Sequence, residues 1–252
     1  MRTLKSGLVI LAVIAFLTGA YFATAPKKQT ISDKNLDGIK LSSSESKTNN
    51  VYDFDEKNNL TKNLGETLFE EIQNNNLINQ EKRTLSSDVN AASENLANKV
   101  ISDSLSDFKL VSNIYDSDLK ISQDVSKEAK NRYLKAVEEI NQKNFANFKE
   151  NYLEVIVDTY QKINPSSANQ LTNIYKALAN DYLNITVPAD WVDIHKRLII
   201  YAKNAEIVYQ AMANYPTDPI KGYLALETID SLVSSAEEIQ NIFNEKIKEI
   251  SS

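Results

Sequence analysis

Apolar residues recur at alternating intervals of four and three in the C-terminal half of this 252-residue chain. A spacing near 3.5 places these side chains on one helix face, as in long antiparallel helices that interdigitate at about 20°. The pattern therefore predicts an all-α fold whose main part is an antiparallel, coiled-coil-like bundle. The repeating positions are Leu171, Tyr175, Leu178, Tyr182 and Ile185, then Ile194, Leu198, Tyr201, Ala205, Val208, Met212 and Tyr215, then Ile229, Leu232, Ala236, Ile239, Phe243, Lys246 and Ile250.

Prolines divide this region into three helices. The Asn164–Pro165 and Asp218–Pro219 steps each pair an N-cap residue with proline at the first helical position. Pro188 is expected to open the middle helix and Pro216 to end it. The predicted helices therefore run over about 165–184, 188–215 and 219–250.

Upstream segments bring the expected number of helices to five or six, in a bundle that spans residues 58–252. Two shorter segments carry the helical period: Leu60, Leu64, Leu68 and Ile72, then Val89, Ala92, Leu96 and Val100. The stretch 108–122 is less periodic and favours extended backbone. A long helix is expected from Val125 to Ile163, with a kink or short break near Gln142–Asn144, where the apolar register shifts.

The N-terminal segment 7–25 contains nineteen consecutive uncharged residues. As a helix it would span about 28 Å, close to the ~30 Å hydrocarbon core of a bilayer. This length predicts a transmembrane signal anchor with residues 1–6 as a cytoplasmic head. The alternative is secretion after cleavage near Ala25, because Ala23-Thr24-Ala25 has the small-residue form of a cleavage site. Pro26 disfavours that cleavage, since proline restricts the backbone of the residue before it.

Residues 26–57 have the composition of a flexible linker, with six basic residues, six acidic residues and a serine run. A coil of this length has a root-mean-square span of roughly 30 Å. The sequence thus predicts a tether that holds an extracytoplasmic bundle clear of the membrane that carries the anchor.

The charge of the chain disfavours nucleic acid as a partner. Four of the 28 basic residues lie before residue 29, which leaves 24 against 34 acidic ones and a formal charge of −10 for residues 29–252. An acidic surface repels phosphate backbones. The chain also has no cysteine, so it forms no disulfide and its stability must come from an apolar core.

One loop in the linker has part of a calcium-binding pattern. Asp33, Asn35 and Asp37 supply oxygen ligands at positions one, three and five, and Gly38 follows at position six. Positions nine and twelve are Leu41 and Ser44, so later ligands are missing. The incomplete set favours an accidental match over a metal site.

No catalytic residue or cofactor site emerges from the sequence, which favours a non-enzymatic protein. His195 is the only histidine, and Val192 stands where a helical metal site would need glutamate. We interpret His195 as a first-turn helix residue beside an Asp193–Arg197 ion pair. Ten of the twelve tyrosines lie between Tyr115 and Tyr223, and core packing is favoured over a tyrosine-lined ligand pocket.

The stretches WVDIHKRLIIYAKNAEIVYQAMANYPTDPIKGYLAL, residues 191–226, and NNLTKNLGETLFEEI, residues 58–72, accompany the N-terminal anchor. Together they resemble a group of uncharacterised, membrane-anchored helical proteins from Parcubacteria-like candidate-phylum bacteria. The shared features are a helix with one early histidine, an Asp-Pro turn and a final helix. The resemblance implies bacterial origin and an extracytoplasmic helical domain, and it transfers no activity and no site residue.

The sequence as a whole favours a single-pass module that mediates protein–protein assembly at the cell envelope, through a protein partner or self-association. Two alternatives stay open. One is an envelope protein that binds calcium or a small molecule, and the other is a secreted helical protein.

Overall fold

The computed structural model describes residues 59–74, 78–79, 84–85 and 109–251. The predicted head, anchor and linker lie outside these ranges, as do Asp33, Asn35 and Asp37 and the predicted helical segment around 89–100. Within the described ranges, no helix is both long enough and apolar enough to cross a bilayer.

The described part of the chain is mostly helical, which confirms the all-α prediction. The helices are α1 (Leu60–Asn74), α2 (Lys127–Phe145), α3 (Tyr152–Ile156), α4 (Ser166–Asn184), α5 (Val192–Ala213) and α6 (Pro219–Ser251). A π-helical turn, Val157–Gln161, continues α3, and short 3-10 turns cover Asp116–Asp118 and Ala189–Trp191.

Four very short strands form two separate pairs. β1 (Ile78–Asn79) lies antiparallel to β2 (Thr84–Leu85). β3 (Lys120–Ser122) lies parallel to β4 (Thr186–Pro188), with Ile121 opposite Val187. β3 confirms the expectation of extended backbone at the end of the 108–122 stretch.

The helical region predicted from Val125 to Ile163 is interrupted, as the predicted break implies, and it begins two residues later, at Lys127. α2 ends at Phe145 and helical structure resumes only at Tyr152. Asn151 starts the new helix, because its side chain accepts the N–H of Glu154 (3.0 Å) while the Glu154 carboxylate accepts the N–H of Asn151 (2.8 Å). The break therefore lies a few residues after the predicted Gln142–Asn144.

Two predicted helix starts are also shifted. α4 begins at Ser166, and Asn164 accepts hydrogen bonds from the N–H and hydroxyl of that serine. α5 begins at Val192 because Pro188 belongs to β4 and the next three residues form a 3-10 turn. α6 begins at Pro219 as predicted.

The core lies around α5, which packs between α4 and α6. Along α4 and α5, Tyr182 approaches His195 and Tyr175 approaches Tyr201, so these helices are antiparallel. α6 is likewise antiparallel to α5, since Trp191 meets Phe243 near one end. The predicted inward repeat is confirmed at these buried positions: Leu171, Tyr175, Leu178, Tyr182, Ile194, Leu198, Tyr201, Ala205, Val208, Met212, Ile229, Leu232, Ala236, Ile239 and Phe243.

A buried carboxylate joins the N-termini of α1 and α6. Asp218 is only 4% exposed, and it accepts the N–H of Leu60 (2.9 Å), the N–H of Thr61 (3.1 Å) and the hydroxyl of Thr61 (2.7 Å). It also accepts the N–H of Lys221 in the first turn of α6 (3.3 Å). One side chain thus caps two helices whose positive dipole ends converge on it.

Asn59 completes this arrangement, which we call the Asp218 clasp (Asn59, Leu60, Thr61, Thr217 and Asp218). Asn59 accepts the N–H of Lys62 (2.8 Å) and donates to the carbonyl of Thr217 (3.0 Å). The clasp fixes α1 to a turn more than 150 positions away in the sequence.

Close packing beside the clasp depends on Gly222. An added Cβ there would lie 2.8 Å from the Cβ of Tyr215, whereas an added Cβ at Gly65 in α1 would meet nothing within 4 Å. We expect Gly222→Ala to lower the free energy of unfolding by about 1–3 kcal/mol through overpacking. Gly65→Ala should raise it by up to about 1 kcal/mol, because alanine favours the helix.

Urea denaturation followed by circular dichroism measures both changes. If Gly222→Ala were as stabilising as Gly65→Ala, the close approach of Tyr215 to α6 would be wrong.

Candidate functional site

His195 lies in the core and not at the surface of α5. Its side chain is fully buried, and Nδ1 lies 3.0 Å from the hydroxyl of Tyr133 on α2. The ring of Tyr133 also meets Trp191 edge-on, with 5.7 Å between ring centroids. The expected Asp193–Arg197 ion pair is not formed, because Arg197 instead contacts Glu238 on α6 at 2.7 Å.

Burial lowers the pKa of His195 to about 4, since the charged imidazolium loses its hydration. The carbonyl of Tyr182 acts in the opposite direction, although it does not reach hydrogen-bonding geometry with Nε2. Among the described residues, His195 Nε2 and Trp191 Nε1 are buried without a hydrogen-bond partner. The imidazole is therefore neutral at physiological pH, and its Nδ1 shares one hydrogen bond with the Tyr133 hydroxyl.

This cluster has the form of a structural core element. In the described ranges, no three side chains of the His, Cys, Asp or Glu type converge as metal ligands. Tyr133 has a strongly raised pKa because it is buried, so its hydroxyl stays protonated. His195 and Tyr133 can hold one hydrogen bond and one tautomer, but the contacts around them place no nucleophile in reach.

A surface pocket of about 300 Å³ lies against the outer side of Tyr133. Two small residues one heptad apart on α2, Ala129 and Ala136, leave this space open, and Ile185 and Pro188 close it on the β4 side. Arg132 stands at the rim and contacts Asp124 at 3.1 Å. The volume is at the lower end of the range for small-molecule sites.

A second depression, which we call the α5–α6 groove, has a volume of about 370 Å³. Ile200, Leu232 and Ile239 give it an apolar lining, and the Arg197–Glu238 ion pair crosses its rim. An apolar floor with a polar rim is the usual anatomy of a protein–protein contact.

Beside the α5–α6 groove, α5 binds the backbone of an upstream segment of the same chain. Next to the groove, the side chain of Asn204 accepts the N–H of Val111 (2.6 Å) and donates to the carbonyl of the same residue (3.0 Å). The side-chain amide of Asn204 thus makes the two backbone hydrogen bonds to Val111 that a neighbouring strand would otherwise make. The segment that contains Val111 is irregular, and its Ile114 is buried in the core. No sequence motif marked Asn204, because its role depends on a segment 93 positions away.

The described tyrosines range from buried core residues to the exposed Tyr115 and Tyr223. Tyr175 stacks on Tyr209 with parallel rings 5.5 Å apart, and Tyr201 meets Tyr175 edge-on. Burial raises the pKa of Tyr201 to about 12, so this residue offers the groove a neutral hydroxyl. Core packing, as expected, accounts for most of them, while Tyr133 and Tyr201 each also line a depression.

No protein-family model matches the chain, and neither a curated protein nor a solved structure shows significant similarity to it.

The single histidine makes its effect on stability measurable. Because the folded pKa lies below the unfolded value of 6.5, the unfolded chain binds more protons between pH 6.5 and 4. The free energy of unfolding should therefore fall as the pH drops through this window, by about 3 kcal/mol from His195 alone. Above pH 6.5 this contribution should be constant.

His195→Gln is the control, since the carboxylates titrate in both proteins and cancel in the difference. Urea denaturation at several pH values should show a steeper loss for the natural chain. Parallel pH profiles would contradict a buried, neutral imidazole.

Proposed function

We propose that the protein is a non-enzymatic module that residues 7–25 anchor in the cell membrane and whose bundle assembles with a protein partner or another copy outside the cytoplasm. The observation that carries the assembly role is the α5–α6 groove beside the Asn204 contact with Val111. This face already binds the backbone of one irregular segment at Val111, and the neighbouring apolar space is open.

The groove favours a polypeptide over a small solute. The Arg197–Glu238 pair is about half exposed on both sides, so a partner's charged groups can replace either member without burying an unpaired charge. Ser235 and Asn204 add uncharged hydrogen-bonding groups along the same face. An apolar residue of the partner would occupy the space over Ile200 and Leu232.

A non-enzymatic role is supported by where the ionisable side chains lie. Glu139 and Glu238 are exposed, lie on different helices and are each held in an ion pair, with Lys135 and with Arg197. The only histidine is enclosed in the core and lines neither depression. General acid–base chemistry needs such groups within hydrogen-bond reach of a bound substrate.

The membrane location leads to a direct expectation for the mature protein. The native chain should sediment with membranes, resist alkaline extraction and have an intact mass that includes residues 1–25, because a segment of about 28 Å spans the hydrocarbon core. Protease added to whole cells with a permeable outer layer should remove the bundle. A soluble chain that begins after Ala25 would instead support the secreted alternative.

The assembly role leads to a second expectation, tested by photo-crosslinking in cells that make the protein. A photoreactive amino acid at Ser235, which lines the groove, should yield a discrete crosslinked product. The matched control is Ser234, an equally exposed serine that lies about 100° around the same helix and outside the groove lining. Equal yields at both positions, or no product at Ser235, would contradict a groove contact.

A ligand-binding role is the second candidate, favoured by the pocket against Tyr133. Filling it with Ala136→Leu should abolish binding of any small molecule that copurifies with the chain, as mass spectrometry of the protein would show.

The calcium form of this candidate rests on Asp33, Asn35 and Asp37 in the linker. Calorimetry with calcium decides it, since no heat, or the same heat after Asp33→Ala, would remove that site.

A further inference from the structure

Four helix termini meet at one end of the bundle, which we call the clasp end. α1 and α6 begin there at the Asp218 clasp, α5 ends there at Ala213 and the π-helical turn reaches it through Tyr160. Tyr160 donates its hydroxyl to the carbonyl of Gly222 (2.5 Å), and its ring lies 4.7 Å from that of Tyr215. The opposite end, where α5 begins, lies roughly 30 Å away for a helix of 22 residues.

Two large apolar side chains are exposed at the clasp end. Tyr223, next to Gly222, is 58% exposed, and Ile163, three residues after Tyr160, is 54% exposed. Since Tyr160 bonds to Gly222, the two side chains lie on the same end of the molecule. Tyrosine and a branched aliphatic residue are well suited to the boundary between lipid headgroups and acyl chains.

Ile163 also has an unusual backbone. Its φ of 52° places it in the left-handed region, which is costly for a β-branched residue and easy for glycine or asparagine. The chain thus carries a bulky apolar side chain in an exposed and strained position. Packing inside the bundle does not explain this choice, because more than half of the side chain stays in solvent.

The charges around these two residues are mixed. Lys162 contacts Asp158 at 2.5 Å, and Glu150 and Glu154 act on Lys162 from further away. Lys221 stands on the α6 side. Because the positive groups are balanced by carboxylates, attraction to anionic lipid is not the driving force here, and contact must be apolar.

The chain enters the bundle at this same end. Asn59 is the first residue of the Asp218 clasp, and residues 26–58 are all that separates it from the predicted anchor. As the coil that their composition predicts, these residues would average roughly 30 Å end to end and could also span much shorter distances. Tethering also raises the effective concentration of the bundle at the surface, so even two exposed side chains can maintain contact.

From this geometry we infer that the clasp end is the membrane-facing surface of the bundle, with Ile163 and Tyr223 inserted in the interface of the bilayer. This replaces the expectation, drawn from the linker composition alone, of a bundle held clear of the membrane. The inference rests on the proposed anchoring through residues 7–25. It goes beyond that proposal by giving the bundle an orientation, which leaves the α5–α6 groove on the side of the molecule, parallel to the long helices and open to a partner.

Because the chain has no native cysteine, a spin label attaches only at a cysteine introduced by mutation. The full chain, reconstituted in phosphatidylcholine vesicles, is labelled at Ile163→Cys or Tyr223→Cys. Matched controls are Val125→Cys and Tyr115→Cys, which replace exposed residues of the same types near the opposite end, where Asp116 meets Lys196 and β3 meets β4. Circular dichroism of each labelled chain verifies the helical content.

Power saturation compares collisions with oxygen, which is enriched in lipid, with collisions with a water-soluble nickel chelate. We expect the oxygen-to-nickel ratio at positions 163 and 223 to exceed that at 125 and 115 several-fold, and to be unchanged by high salt. Nickel access equal to that of the controls overturns the inference, and so does shielding from both reagents, which indicates a protein partner or second copy on this end.

Flotation of the same vesicles separates this inference from the proposed function. A chain that does not float with lipid overturns the anchoring itself and the orientation with it. A chain that floats normally while its labels at 163 and 223 stay in water overturns the orientation alone.

Discussion

The bundle depends on one carboxylate that lies between two positive helix ends. Asp218 satisfies backbone N–H groups of both α1 and α6, which would otherwise be buried without partners where the two helices start. The charge needs no counter-cation, because two helix dipoles and the Thr61 hydroxyl stabilise it. This contact links the start of the described chain to the turn between its two longest helices and so fixes where the linker attaches.

Most of the helical layout could be predicted from the sequence because it follows from local signals. The apolar period marked the buried faces of α4, α5 and α6, and Asp218–Pro219 marked the start of α6. The break between α2 and α3 was predicted a few residues too early, since helical periodicity continues on both sides of it and the Asn151–Glu154 capping box decides the restart. Likewise, Pro188 was predicted to start a helix. It lies instead in β4, because β4 pairs with β3, which is 66 positions away.

The candidate sites were less predictable, because they arise from long-range contacts. His195 was expected in a first helical turn beside an Asp193–Arg197 ion pair, and Tyr133 from a distant helix contacts it in the core instead. The 3-10 turn before α5 and the edge-on contact of Trp191 with Tyr133 complete that enclosure. Asn204 and the α5–α6 groove had no local signature at all, since an asparagine in a helix gives no hint that it binds the backbone of Val111.

The Asp218 clasp has a consequence for the order in which the chain matures. Its two halves are separated by more than 150 positions, so α1 has no docking site until most of the polypeptide has been synthesised. Until then α1 is exposed to proteases and aggregation, as are other segments whose native contacts are distant in sequence.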